Sequence, residues 1–138
     1  MPVKPTKTAA EKPSLTPVER AVRCAELAFE KKAFDIRALD ISEVSTIADC
    51  LVIISGNSDK QNQAIADAIR IGLKKFGKVN DIEGESEGKW IVMDYGDVLV
   101  HIFHDHLRSY YDLDGLWRSA TEIELPEKVR SARKEDDF

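Results

Sequence analysis

Apolar positions along the chain change period several times, and each change marks an element. Val18, Val22, Ala25 and Phe29 recur at helical spacing, with Ala21 and Ala28 beside them. The spacing predicts a helix that begins at Pro17 and fades at Lys31-Lys32. Thr16 suits its N-cap, Pro17 its first turn, and Glu19 the far corner of a capping box. Over 34–41 the period drops to two, with Phe34, Ile36, Ala38 and Asp40 on one side and Leu39 and Ile41 on the other. That alternation predicts a strand. The unbroken run Cys50, Leu51, Val52, Ile53, Ile54 predicts a central strand over 50–55, covered on both faces. Gly56-Asn57 turns the chain, Ser58 caps a second helix, and Gln61 stands where a capping box wants it. Ile65, Ile69, Leu73 and Phe76 form the stripe of that helix, and Gly77 ends it. Strands are expected at about 78–82, 89–94 and 98–103, the last two joined at Tyr95-Gly96 as an antiparallel hairpin. A third helix follows at 105–111, with a further turn at 115–119.

The order α-β-β-α-β-β-β-α predicts an α/β domain: a single mixed sheet of about five strands with helices packed on it. Residues 1–15, with three prolines, read as a flexible arm. Residues 16–119 form the domain, and 120–138, with Pro126 and mixed charges, read as a mobile tail.

Composition narrows the function classes. The chain has 138 residues, 43% of them hydrophobic, enough for one domain with its own core. Its two cysteines, Cys24 and Cys50, rule out a disulfide framework and a four-cysteine zinc site, and suit a reducing, cytoplasmic setting. No apolar run approaches the roughly 20 residues a membrane span needs. Lysines near the N-terminus are not followed by an apolar block, so no secretory signal is expected.

Charge is concentrated. Residues 81–97 hold Asp81, Glu83, Glu85, Glu87, Asp94 and Asp97 against Lys89 alone, a net −5 that equals the charge of the whole chain. Such a block repels phosphate backbones and favours a basic partner; the plainer reading is a solvated hairpin face.

Little in the chain suggests catalysis. The turn Ser55-Gly56-Asn57-Ser58 precedes a helix N-terminus and could hold a phosphate, but it has neither a second glycine nor a P-loop lysine. Asp94 and Asp97 flank a turn and could share Mg²⁺, but no third ligand is placed to join them. His101, His104 and His106 do not make a metal site, because strand alternation puts His101 beside Leu99 and Phe103 and turns His104 away. Neither cysteine has a nucleophile's surroundings, and no Gly-x-Ser-x-Gly elbow occurs. No cofactor or metal is called for.

Aromatics are the stronger signal. Trp90, Tyr95, Tyr110, Tyr111 and Trp117 all fall in the last third, near the acidic block. Aromatic anchors ringed by charge are the anatomy of a protein-binding face. Alternation puts Trp90, Val92 and Asp94 on one side of their strand and Ile91 and Met93 on the core side. The expected contact residues are Glu83, Trp90, Asp94, Tyr95 and Asp97, with Tyr110 on the neighbouring helix. The competing expectation is that Trp90 packs under that helix while the two aspartates only shape the turn.

Several segments together resemble the ribosomal silencing factor family, also called RsfS or Iojap. They are Asp40-Ile41-Ser42, Ala48-Asp49, Ile53-Ile54-Ser55-Gly56-Asn57-Ser58 and Gln63-Ala64-Ile65-Ala66. More specific are Glu83-Gly84, Gly88-Lys89-Trp90-Ile91-Val92, Asp94-Tyr95-Gly96-Asp97-Val98, Val100-His101, Tyr110-Tyr111-Asp112-Leu113 and Leu116-Trp117. The resemblance spans about 17–118. It implies a nucleotidyltransferase-like fold without its catalytic Gly-Ser and paired-aspartate pattern. It also implies a non-enzymatic factor that binds the large ribosomal subunit on ribosomal protein number fourteen, with peripheral rRNA contact. There it would obstruct the small subunit and repress translation under nutrient limitation. Exposed strand edges and an aromatic face also suggest a homodimer when the partner is absent. A nucleotide-handling enzyme using the 55–58 turn, and an adaptor for some other basic protein, are the alternatives.

Overall fold

Six strands form one open mixed sheet, lying side by side in the order 81–83, 90–94, 98–104, 50–56, 34–40 and 121–122. The structure, a computed structural model, describes residues 14–134. Its elements run α1 (Pro17–Glu30), β1 (Phe34–Asp40), β2 (Cys50–Gly56), α2 (Asp59–Leu73), a 3-10 turn (Lys74–Phe76), β3 (Asp81–Glu83), β4 (Trp90–Asp94) and β5 (Val98–His104). After these come α3 (Asp105–Tyr111), α4 (Leu113–Leu116), β6 (Thr121–Glu122) and α5 (Glu127–Arg130). β2 pairs with β5 in parallel, and all other pairs are antiparallel. The parallel pair needs a long crossover, supplied by α2 and the β3–β4 excursion.

Local chemistry explains most element ends. The Thr16 side chain accepts from the Glu19 N–H at 3.1 Å, and the Glu19 carboxylate accepts from the Thr16 N–H at 3.0 Å, the reciprocal box expected. At α2 the box is shifted. Ser58 Oγ accepts from the Gln61 N–H at 3.0 Å, but Gln61 Oε1 takes the N–H of Asn57 at 2.6 Å. The Gln61 amide then donates to the carbonyls of Lys31 and Lys32, so it ties the end of α1 to the start of α2. The β4–β5 turn closes with Gly96 at φ 90°, a conformation that favours glycine.

The sheet is buried on one face by α1 and α2. Ala21, Cys24, Ala25 and Ala28 of α1 and Ile65, Ala66, Ile69 and Leu73 of α2 pack on Val52, Ile54, Ile91, Met93, Val100 and Ile102. The opposite face carries a smaller cluster: Leu39, Ile41, Leu51, Ile53 and Phe103, covered by Leu107 of α3, Leu113 of α4 and Trp117. β2 is buried along its whole length, as its unbroken apolar run predicts.

Two expectations need correction. The strand expected at about 78–82 is Asp81–Glu83, three residues long and displaced along the chain. Its side chains are too polar for a period to show. The segment from 120 onward does not leave the domain. Thr121 and Glu122 pair with Asp40 and Leu39 as a sixth strand, Leu125 is buried, and Val129 is fully buried in the α1/α2 core. Two apolar side chains spaced among charges give no periodic signal, yet they dock the segment. The 1–15 arm lies outside the described residues except for Ser14 and Leu15, and so do 135–138 of the tail. Leu15 packs against the core.

Candidate docking face

Cross-strand register fixes what the second sheet face presents. Asp81 stands opposite Asp94, and Asp94 opposite Leu99. Glu83 stands opposite Val92, and Val92 opposite His101; Trp90 stands opposite Phe103. Paired residues point to the same side, so the β3 edge carries acids and β4–β5 carry Val92, Leu99, His101 and Trp90. All four of the latter are half-buried. Trp90 and Leu99 also pack against the helix-covered cluster, and Trp90 meets Tyr111 of α3, as the competing expectation for Trp90 has it.

Trp90 is the pivot. Its ring lies 5.2 Å from Phe103 and 5.0 Å from Tyr111 between centroids. Its indole N–H donates to His101 Nδ1 at 3.0 Å. Desolvation of His101 pushes its pKa down to about 4, so the ring stays neutral and accepts this bond. Tyr111 meets Tyr110 edge-on at 5.0 Å. Tyr110 is 78% and Leu116 71% exposed, leaving α3 and α4 with an apolar outer surface. The loop before β4 is packed closely: at Gly84 a Cβ would sit 2.1 Å from the Trp90 carbonyl oxygen.

The structure separates the residues expected to act together. Glu83, Trp90 and Asp94 share the open face, and Tyr110 borders it on α3. Tyr95 does not; it turns to the α1/α2 side and packs against that core. Its hydroxyl is buried without a hydrogen-bond partner, and burial pushes its pKa up. Asp97 also faces α1, where Arg20 Nη1 donates to both carboxylate oxygens at 2.7 and 2.8 Å. Asp97 therefore clamps the hairpin turn to α1. Asp94 does shape the turn, since its carboxylate accepts the Gly96 N–H at 2.7 Å, but it remains on the open face. The reason for the split is the turn itself: strand alternation ends at Asp94, and the next residues wrap to the helix side.

His101 is the residue that sequence reasoning placed on the correct side without a role. Its i+2 spacing from Phe103 put it beside Trp90, and that diagonal was the available signal. A second ordering device lies at the edge of this face. Arg108 of α3, buried, donates to Ser55 Oγ at 2.8 Å, to the Asp35 carbonyl, and to Asp114 at 2.9 and 3.1 Å. Arg37 adds a bond to Asp114 at 3.1 Å. Burial opposes the charge of Asp114, yet hydrogen bonds from Arg108 and Arg37 hold its carboxyl below the usual range. This network seats α3 and α4 on the sheet.

Three polar groups of the 55–58 turn bond within the fold, two as acceptors and one as donor. Ser55 Oγ takes Arg108, the Asn57 N–H goes to Gln61, and Ser58 Oγ caps α2. His104 points away from His101, and its Nε2 meets Asp59 Oδ1 at 2.8 Å. Among the described residues no three His, Cys, Asp or Glu side chains converge as a metal site, and no helix is long and apolar enough to cross a membrane.

Fold and face together make an α/β module: one sheet with α1 and α2 on one side, and α3 and α4 beside an aromatic, acid-edged surface on the other. Comparison with known proteins gives that module a family. The family model described as "Ribosomal silencing factor during starvation" matches residues 14–138. A ribosomal silencing factor RsfS of Bacillus subtilis is 46% identical over 97 residues, 70% of this chain and 82% of that protein. The chloroplastic protein Iojap of Zea mays is 39% identical over 108 residues, 77% of this chain and 46% of that protein. A crystal structure of a Chromobacterium violaceum protein superposes with a TM-score of 0.72 at 30% identity, covering 75% of this chain and 88% of that one. The chain belongs to the ribosomal silencing factor family.

Proposed function

We propose that the protein docks through its open sheet face onto a basic protein of the large ribosomal subunit, ribosomal protein number fourteen. Bound there, its bulk keeps the small subunit from joining and so represses translation. Family membership supports the coarser part, a ribosome-associated silencing role. The observation that carries the finer part is the half-buried Trp90, held by His101 and Tyr111 beside carboxylates at the β3 edge. Asp81 stands directly opposite Asp94. Like charges in that position are destabilising, and an incoming lysine or arginine relieves the repulsion. The role is steric and needs no catalytic group. The Asn57 N–H of the 55–58 turn is taken by Gln61 and both its serine oxygens accept donors from within the fold, which counts against the nucleotide-handling alternative.

The test is sedimentation with purified subunits. Added protein is expected to travel with large subunits and to lower the fraction of joined ribosomes. Sedimentation of free large subunits with no bound protein would reject the reading. In the absence of a partner the same apolar face is free to pair with a second copy; a strictly monomeric species at high micromolar concentration would reject that part alone.

A further inference from the structure

One surface lies beside the acidic edge and has the opposite charge. Residues 70–78 contain Arg70, Lys74, Lys75 and Lys78 and no acid. They fall at the end of α2, in the 3-10 turn and in the approach to β3. Arg70 pairs with Asp67 of its own helix. The three lysines are exposed, and among the described residues no carboxylate lies within 4.0 Å of them. Arg70, Lys74 and Lys78 line a shallow groove with Val79 and Ile71, the last 68% exposed. In a chain of net charge −5, cations clustered without carboxylate partners make a local positive patch that suits an anionic partner.

Position decides which partner. Lys78 and Asp81 are three residues apart, so their Cα atoms are at most about 11 Å from one another. The Asn80 N–H binds the Asp94 carbonyl at 2.8 Å, which fixes this approach against the edge of the docking face. Lys74 follows α2, which packs on the other sheet face, so a body on Asp81 and Glu83 reaches Lys74 and Lys78 by wrapping around the β3 edge. It must present cations to the first pair and anions to the second. A basic protein embedded in nucleic acid presents both.

We propose that Lys74, Lys75 and Lys78, supported by Arg70, bind a phosphate backbone of ribosomal RNA next to the protein contact. This inference rests on the large-subunit reading above and deepens it: one edge would read protein and RNA together. Lysine suits the task because it offers a compact, mobile charge to phosphate oxygens, and each neutralised phosphate adds a salt-dependent increment to binding.

The experiment measures affinity at several salt concentrations, once for intact large subunits and once for the isolated basic ribosomal protein. The parent is compared with a Lys74→Gln, Lys75→Gln, Lys78→Gln variant and with a triple lysine-to-arginine variant, all checked for unchanged melting. On intact subunits the glutamine variant is expected to bind more weakly, with a slope of log affinity against log salt shallower by about 2 to 3. The arginine variant should keep the parental slope, and all three should bind the isolated protein equally. An unchanged slope on subunits overturns the inference. So does an equal weakening on the isolated protein, which would put the lysines at a protein contact. Loss of self-association in the glutamine variant, with subunit binding intact, would assign the patch to a second copy's acidic edge and overturn it too. Failure of the parent to bind either target strikes the large-subunit reading itself, and the RNA contact falls with it.

Discussion

Trp90 and His101 are diagonal neighbours on β4 and β5, and the indole N–H donates to the imidazole Nδ1 at 3.0 Å. The accepting nitrogen carries no proton, so the proton of the neutral ring sits on Nε2. This one bond fixes the rotation of the largest side chain on the open face, and Phe103 and Tyr111 hold its flanks. A preorganised aromatic anchor gives up little side-chain freedom on binding.

The bond makes a pH prediction. The folded-state pKa of His101 is about 4, below its ordinary 6.5, because burial disfavours the cation. The unfolded chain thus takes up a proton that the folded chain refuses. Stability contributed by neutral His101 is complete above about pH 6.5 and declines as pH falls to about 4. Urea titrations across that window should show this decline, and His101→Gln should flatten it.

Asp97 separates stability from binding. Its carboxylate holds Arg20, whose side chain is only 14% exposed. Asp97→Ala is expected to cost about 1–2 kcal/mol, and a double-mutant cycle with Arg20→Ala should show coupling of about 0.5 kcal/mol or more. Large-subunit affinity should change by less than about threefold, because a charge removed away from a contact has little effect on it. Chemical denaturation and a binding titration on the same samples check both halves.

How much of this could be read from the chain depends on how local the signal is. α1, β2, α2 and the β4–β5 hairpin were legible because each has its own periodicity, cap or turn. The helix-side placement of Ile91 and Met93 followed from alternation alone. Beyond Asp94 alternation stops, so nothing local shows that Tyr95 and Asp97, expected as contact residues at the turn, point to the helix side. The Asp97–Arg20 pair joins residues 77 apart, and no spacing rule reaches that far. The same limit hid β6: two polar residues are a strand only because β1 offers an unpaired edge.

That sixth strand and its sequel make a third prediction. Leu125 and Val129 are buried against α1 and β1. Val129→Ala should cost about 1–2 kcal/mol and Leu125→Ala about 2–3 kcal/mol. Equilibrium urea unfolding should show a lower midpoint with little change in slope.

Arg108 seats α3, which carries Tyr110 and Tyr111. Arg108→Ala leaves Asp114 without its nearest cation and Ser55 Oγ without its donor. A loss of about 3 kcal/mol is expected, with faster hydrogen exchange at residues 105–116 than in β2.

The most direct test is the affinity of Trp90→Ala for purified large subunits, beside its ability to lower the fraction of joined ribosomes. Circular dichroism should first establish that the variant remains folded. Truncating a central aromatic anchor commonly costs about 2 kcal/mol or more, near thirtyfold in affinity. The expected result is a folded protein that no longer travels with large subunits and no longer keeps them from joining. A folded Trp90→Ala variant that binds as tightly as the parent and still blocks joining would contradict the docking face described above.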